Sequence, residues 1–366
     1  MKDVLRIIHA ADLHLDSPFE ALGAEKAAIR RSEQRELLGR ISGLVYEKNA
    51  DLLLLAGDLL DTGSVYAETA HALCDALGGL DCPVLIAPGN HDYYCASSPW
   101  ARLELPENVH VFKRGAVECV TLPEKAVRVW GSAFTDAAAG PPLRGFSVQK
   151  LSGVLDLGLF HGELGRPESR YAPISEREVS DSGLDYLALG HVHSFSGLRK
   201  AGATYYAWPG CAEGRGFDEC GAKGALYVEL DRSGGCAVHF APLAGRRYEV
   251  VTLDAGDGDF GSRLPDSGGR DICRLILTGE SERSPDLARI AGIMERRFFA
   301  FELRNMTTVC RDIWEKAEQD TLRGLFLRRM RALYDAAQDE AERGKITQAV
   351  RWGLSALDEG EAVNPL

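Results

Sequence analysis

The chain has 366 residues, 45% of them hydrophobic and 26% charged, with a formal net charge of −12. That length suits one large domain plus a smaller one, and the acidic balance argues against a protein that coats nucleic acid through a broad positive field, though not against an enzyme whose positive charge is confined to a cleft. Nine cysteines without a CxxC pair argue against a disulfide framework or a zinc–thiolate site, no apolar run approaches a membrane span, and MKDVLRIIHAADLHLD is a poor signal peptide, so a cytoplasmic location is expected.

From the N-terminus onward one arrangement occurs five times. DVLRIIHA runs into ADLH, ADLLLLAG into DLLD, CPVLIAPG into NHD, VLDLGLF into HG, and DYLALG into HVH. Each is a short, nearly continuous apolar run, as expected of a strand buried on both faces, and each ends in a polar residue able to bind a metal. Between the first three runs, Leu37, Leu38, Ile41, Leu44 and Val45 recur at helical spacing, as do Ala70, Leu73, Cys74 and Leu77. Strand, helix, strand, helix, strand implies parallel pairing through crossovers. RYAPISEREVSDSG carries a capping box with Ser175 as N-cap and Glu178 three residues on.

Beyond these runs, ALYVEL and CAVHFAPL read as strands that complete a sheet. RRYEVVTLD then leads into AGDGDFGSRLPDSGG, a Gly/Asp/Ser-rich linker or long loop. ICRLILTG reads as a strand, followed by a helix with Ser284 as N-cap and Pro285 in its first turn, and FFAFELRNM as another strand. From about residue 319 the pattern is helical: Leu322, Leu325, Phe326, Met330, Leu333, Tyr334 and Ala337 form one stripe, and Ile346, Val350, Leu354 and Leu357 a second. Intramolecular core is the expected use of both stripes, with a docking surface for a partner's coiled coil as the alternative. Arg323, Arg328, Arg329 and Arg331 read as a solvated helix face, and GKIT at Gly344 is no P-loop, because the upstream glycine is missing. His9, His71, His110 and His239 read as structural or surface residues.

In open α/β sheets the loops at the carboxyl ends of the strands gather along one edge, where ligands bind. The polar residues ending the five runs should therefore converge: Asp12, His14, Asp58, Asn90, His161, His191 and His193. DxH and GD are commonplace by themselves; the ordered set DxH, GDxxD, GNHD, H, GHxH, each after a strand, is a strong signal. Oxygen and imidazole donors without thiolate suit Mn²⁺, Fe²⁺ or Zn²⁺ better than a soft, thiophilic ion. Seven ligands are too many for one catalytic ion that must keep an open position, but suit two ions that share a carboxylate. Two ions roughly 3.5–4 Å apart are the usual device for in-line attack on a phosphate ester by an activated hydroxide. Two dications, the carboxylates of Asp12 and Asp58 and one hydroxide leave a small net positive charge, which draws an anionic phosphodiester despite the acidic chain. His91, beside Asn90, is the candidate acid or transition-state stabiliser, with Asp92 as the residue that orients it.

These motifs resemble the calcineurin-like metallophosphoesterase superfamily, whose signature DLH, GDLLD, GNHD, His161–Gly162 and GHVH match in order and spacing. The resemblance implies an α/β fold, a two-sheet β-sandwich flanked by helices. It also implies one ion held by Asp12, His14, Asp58 and His193 and another by Asp58, Asn90, His161 and His191, with His91 as the catalytic histidine. HAADLHLDSPF, GDLLDTGS and WPGCAEGRGFDECGAKG are further similar to DNA repair exonucleases of the SbcD type, within them the bacterial YhaO-like group. That narrower resemblance implies a Mn²⁺-dependent nuclease domain over residues 1–245, a small α+β capping domain over 246–318 and a C-terminal helical segment over 319–366. DNA would be the substrate, an SbcC-like coiled-coil ATPase the partner, and a homodimer an accompanying expectation. Arg215 and Glu219 are candidate contacts to the nucleic-acid backbone, and Cys211 stands where such proteins often have Ser or Asn. Two other readings remain: the same chemistry on a small nucleotide or phosphoprotein, and a metal-stabilised scaffold that binds DNA or an ATPase.

Overall fold

The structure, a computed structural model, describes residues 3–254, 260–281, 285–309, 314 and 316–359. Contacts divide the chain into two units, one of residues 1–249 with 270–272, the other of residues 250–269 with 273–366.

The larger unit begins with β1 (Val4–Ala10), α1 (Ala24–Lys48), β2 (Leu52–Leu55), α2 (Ala67–Gly78), β3 (Val84–Ile86), the one-turn α3 (Pro99–Arg102) and β4 (Val109–Val111). β5 (Glu118–Leu122), β6 (Val127–Gly131), β7 (Leu155–His161), α4 (Glu176–Asp181), β8 (Tyr186–Gly190), β9 (Arg199–Ala201) and β10 (Thr204–Ala207) follow, then β11 (Gly224–Asp231) and β12 (Cys236–Pro242). They form two six-stranded sheets, ordered β12-β11-β1-β2-β3-β4 and β5-β6-β7-β8-β10-β9. β1 through β4 pair in parallel, as do β6, β7, β8 and β10; the antiparallel pairs lie at the flanks.

The apolar runs are continuous because both sheet faces are covered. Leu5 and Ile7 of β1, Leu52 and Leu54 of β2, Leu155, Leu157 and Leu159 of β7, and Tyr186 and Ala188 of β8 share one core between the sheets. The alternate residues Ile8, Leu53 and Leu55 pack instead with Leu37, Leu38, Ile41, Leu73 and Leu77 of α1 and α2. On the second sheet, Phe160, Leu187 and Leu189 face the opposite way, toward Val179 of α4. Each such Leu, Ile, Val or Phe side chain contributes roughly 1.5–3 kcal/mol by leaving water. The result is helices outside two facing sheets, as the resemblance implied. Ser175 and Glu178 form the reciprocal capping box at the start of α4.

The smaller unit takes its strands from β13 (Tyr248–Asp254), β14 (Ile272–Thr278) and β16 (Ala300–Asn305), a three-stranded sheet in the order β13-β14-β16. A two-residue β15 (Glu280–Ser281) pairs with β17 (Thr308–Val309). Where a linker was expected, residues 255–259 lie outside the described residues, but Phe260–Arg263 form a short helix, α5, and Leu264 is buried with Leu275, Leu277 and Met294. Ser284, the expected N-cap, also lies outside the described residues. The described helix, α6 (Leu287–Arg297), is capped by Asp286, which accepts from the Arg289 N–H at 2.9 Å, so Pro285 precedes the cap rather than entering the first turn.

The C-terminal helices α7 (Leu322–Ala336) and α8 (Glu340–Glu359) correct the expected stripe. Their shared core is Leu327, Val350 and Leu354, with Phe326, Met330 and Ile346 beside it. Leu322, Leu325 and Leu333 are 70%, 59% and 51% exposed. A two-helix contact covers only a narrow face, and here that face is centred on Leu327 rather than on Leu322, Leu325 and Leu333.

Candidate metal centre

The inner-face alternation of the strands delivers the site. His161 is the next inward position after Leu159, and Gly190 the next after Ala188, so both sit where the core between the sheets opens at the strand ends. The loops after β1 and β2 run on as a paired ribbon: Asp12 N–H donates to Gly57 O at 3.0 Å, His14 N–H to Asp58 O at 3.0 Å and Leu15 N–H to Leu59 O at 2.8 Å. Asp12, His14, Asp58 and His191 all have left-handed backbones, with φ of 52°, 44°, 50° and 89°. Non-glycine residues held there cost on the order of 1–3 kcal/mol each and cluster at functional sites.

The side chains converge from both sheets. Asp58 Oδ1 accepts the His91 N–H at 2.9 Å, which turns Oδ2 toward the imidazoles: it lies 3.2 Å from His161 Nε2 and 3.9 Å from His14 Nε2. Asp12 accepts the His191 N–H at 3.0 and 3.1 Å and has an oxygen 3.9 Å from His161 Nδ1 and 4.0 Å from His193 Nε2. Asn90 Oδ1 is 3.1 Å from His161 Nε2, and the His161 and His191 rings are 5.1 Å apart. Three groups offer donor atoms within 4.8 Å of one another: Asp12, His14, His193; Asp12, Asp58, His161; and His14, Asp58, His91. Five of the seven expected ligands, Asp12, His14, Asp58, His161 and His193, fall in these groups together with His91; Asn90 adjoins His161 through its Oδ1, and His191, in none of the groups, adjoins it through its ring.

Hydrogen bonding at the far nitrogen of each ring tests the fit to cations. His14 Nδ1 meets Asp61 at 3.1 Å, His193 Nδ1 meets Glu219 at 2.7 Å, and His161 Nδ1 meets the Ala56 carbonyl at 2.9 Å. All three partners accept only, so each Nδ1 carries a proton and each Nε2 is the atom left to bind a metal. The His14 and His193 Nε2 atoms then face each other at 3.4 Å, and His161 Nε2 faces Asp58 and Asn90 oxygens. Lone pairs so close repel unless a cation or a proton stands between them. Metal-ligating histidines backed in this way at the other ring nitrogen are the usual arrangement. The residues fit divalent ions.

The electrostatics without ions point the same way. Burial pushes Asp12 up to about 6 against the pull of His161 and His193. Burial opposes the His161 imidazolium, but Asp58 and Asp12 outweigh it and lift that ring to about 9, while the same pairing holds Asp58 well below the usual carboxylate range. Burial lowers His14 to about 4 despite its bond to Asp61, and burial with the neighbouring His161 charge lowers His191 to about 4.

His91 is exposed, its ring 4.9 Å from that of His14, and its Nδ1 meets the Asp61 carbonyl at 3.0 Å. Asp92 does not orient that ring as expected. Its buried carboxylate accepts four backbone N–H groups, from Gly89 at 2.7 Å, Leu59 at 2.9 Å, Asp58 at 3.2 Å and Leu60 at 3.3 Å, and so ties the loop bearing Asn90 and His91 to the loop bearing Asp58. Arg215 and Glu219, expected at the substrate backbone, are engaged with site residues: Glu219 with His193 and Arg215, and Arg215 with Asp61 at 3.0 Å. Cys211 is fully buried against the His193 carbonyl, its thiol pushed far up by burial. Asp61 was overlooked in the sequence although it is the second acid of GDLLD. The Ala56 carbonyl had no letter to betray it. Trp208 donates to both Gly162 O (3.0 Å) and Gly190 O (3.1 Å), fastening the two histidine loops of the second sheet.

Residues 5–195 match the calcineurin-like phosphoesterase family. The uncharacterized metallophosphoesterase YhaO of Bacillus subtilis (strain 168) is 28% identical over 298 residues, 75% of this chain and 72% of that protein. The DNA double-strand break repair protein Mre11 of Methanopyrus kandleri is 27% identical over 278 residues, 69% of this chain and 60% of that protein. The SbcD subunit of the nuclease SbcCD from Bacillus subtilis (strain 168) is 30% identical over 92 residues, 24% of this chain and 22% of that protein. No described helix is long and apolar enough to cross a membrane.

Proposed function

The chain belongs to the calcineurin-like phosphoesterase family, and from that premise we propose that it is a dinuclear, Mn²⁺-dependent phosphodiesterase acting on DNA. The observation that carries the two-ion reading is Asp58 Oδ2, a single carboxylate oxygen set between the Nε2 atoms of His14 and His161. One ion would take Asp12, His14, Asp58 and His193, the other Asp58, Asn90, His161 and His191. When bound, such ions supply Lewis acidity and lower the pKa of coordinated water.

The protein's own groups do the rest. Asp58 is fixed by the His91 N–H, and Asp92 holds both loops so that the shared carboxylate and the His91 backbone keep one geometry. His91 has Nδ1–H held by the Asp61 carbonyl, and as an imidazolium it would present Nε2–H to give a proton to the leaving oxygen or to steady charge on the phosphoryl group. Phe195, two residues beyond His193, is 42% exposed and stacked on Phe240 at 5.3 Å; it offers a ring face to an unstacked base. The relatives named for DNA repair and for SbcCD support the substrate and a role in repair. We assign the smaller unit as a cap that selects the DNA conformation. An SbcC-like ATPase is the proposed partner, with Leu322, Leu325 and Leu333 on α7 as its contact.

The test is hydrolysis with Mn²⁺ of bis(p-nitrophenyl) phosphate and of end-labelled single- and double-stranded DNA. Both substrates should be cleaved, His91→Ala should lower turnover by about 10²–10⁴-fold with metal still bound, and Phe195→Ala should impair DNA cleavage while sparing the generic ester. Cleavage of the ester but of no DNA would assign a small substrate. No hydrolysis by metal-loaded protein would overturn the enzyme.

A further inference from the structure

The two halves of the centre are supported differently, and the difference passes through one residue. On one side His161 leans on a backbone carbonyl, Ala56 O. On the other, His14 and His193 lean on carboxylates from distant segments, Asp61 and Glu219, and Arg215 joins the two. Its Nη1 donates to Asp61 Oδ1 at 3.0 Å, the oxygen that meets His14 Nδ1. Its Nη2 donates at 2.8 Å to Glu219 Oε1, the oxygen that meets His193 Nδ1, and its backbone N–H donates to Glu219 Oε2 at 2.8 Å. The guanidinium is the bridge in a chain His14–Asp61–Arg215–Glu219–His193.

The segment bearing Arg215 is itself anchored from beneath. Arg30 of α1, fully buried, donates to Gly214 O at 3.0 Å and to Glu213 at 2.7 Å, and Glu213 also accepts the Gly245 N–H. Gln34, one turn further along α1, donates to His14 O at 3.0 Å. Thus one helix fixes both the Arg215 segment and the His14 loop.

We propose that Arg215 is a positioning residue for the His14–His193 half of the centre. It holds Asp61 and Glu219 so that the two imidazoles aim their Nε2 lone pairs at a common point and stay on the required tautomer. The inference rests on the two-ion reading above but concerns only one of the ions. Two opposite effects separate it from a plain charge effect. The guanidinium lies 3.4 Å from His193 Nδ1, so its positive charge opposes a cation in the site. If charge were its only influence, removing it would tighten metal binding; if it aligns the ligands, removing it weakens binding in spite of the charge. Arg215→Lys separates the two further, because lysine keeps the charge but not the planar fork that reaches two carboxylates.

The test is calorimetric titration of full-length protein with Mn²⁺, with free Mn²⁺ followed by electron paramagnetic resonance. In an Asn90→Ala background, which retains Asp12, His14, Asp58 and His193, Arg215→Ala should weaken the remaining ion by about 10–100-fold, the range for loss of groups that back metal ligands. Arg215→Lys should recover only a minor part of that loss. In a His193→Ala background the same substitution should change the remaining ion by less than about threefold, because the two sites are then uncoupled. A general loosening of the fold would weaken both backgrounds alike and overturn the proposal, as would unchanged or tighter binding in the Asn90→Ala background. Should Arg215→Ala fail to fold, Arg215→Met removes the same two donors to Asp61 and Glu219 while keeping most of the side chain's bulk, and is expected to weaken the same ion. Wild-type protein that takes up one ion in place of two would sink the two-ion reading, while the Arg215→Ala comparison on that one ion still decides the positioning role.

Discussion

His161 shows how much of the site's chemistry is set by single atoms. Without metal its ring is lifted to about 9 by Asp58 and Asp12 against its burial, so near neutral pH it carries a second proton, on Nε2, the nitrogen that faces Asp58. A dication takes that proton's place. The sign follows: below about pH 9 protons compete with the ion, and its apparent affinity should rise with pH, by up to about tenfold per unit. Titration calorimetry in two buffers of different ionisation enthalpy at pH 7.5 should report about one proton released per protein as the ions bind. An affinity that stays flat from pH 6.5 to 8.5 would contradict the pairing of His161 with Asp58. His9, at the end of β1, shows the opposite outcome. It is fully buried between Tyr186 OH at 3.0 Å and Leu189 O at 3.2 Å, and burial drives it down to about 3. Its unfolded counterpart titrates near 6.5, so stability is retained above that value and lost as pH falls from 6.5 toward 3.

At the level of strands and loops, glycine positions separate tight approach from mere flexibility. A Cβ on Gly190 would lie 1.8 Å from Ala56 O, the carbonyl that holds His161. Gly190→Ala must therefore push β8 away from the β2 loop, and urea titration should show a loss above about 3 kcal/mol or no folded protein. Gly39, inside α1 with nothing within 4 Å of its added Cβ, should behave in reverse: Gly39→Ala is expected to gain about 0.5–1 kcal/mol. This contrast also marks what the sequence could reveal. Five apolar runs ending in donors, the α1 and α2 stripes and the Ser175–Glu178 box are local patterns, and each is visible in the order of residues. The groups behind the histidines are not local. Ala56 O meets a ring 105 positions away, Glu219 meets one 26 positions away, and a carbonyl has no residue type of its own. Asp92 misled because its neighbour in sequence is His91, while its carboxylate turns to four N–H groups on two loops. On α7, hydrophobic spacing identified a helix but could not say which of its faces α8 would cover.

For the molecule as a whole, the two contact units invite a calorimetric test. Scanning calorimetry with and without Mn²⁺ should show metal raising the transition of the unit that contains the ligands, by about 2.7 kcal/mol at a hundredfold excess over the dissociation constant for one site, and leaving a transition of the smaller unit in place. A single transition that shifts entire would mean the units unfold together. The donors are drawn from both sheets: Asp12, His14, Asp58 and Asn90 follow strands of the first, His161 ends β7 of the second, and His191 and His193 follow β8. The bound pair of ions would then act as a rivet through two plates, and its grip would register any slip between them. Thinning the filling by Leu157→Ala, four residues before His161 on β7, should loosen the rivet as well as the plates, making ion uptake a strain gauge for packing in the middle of the protein.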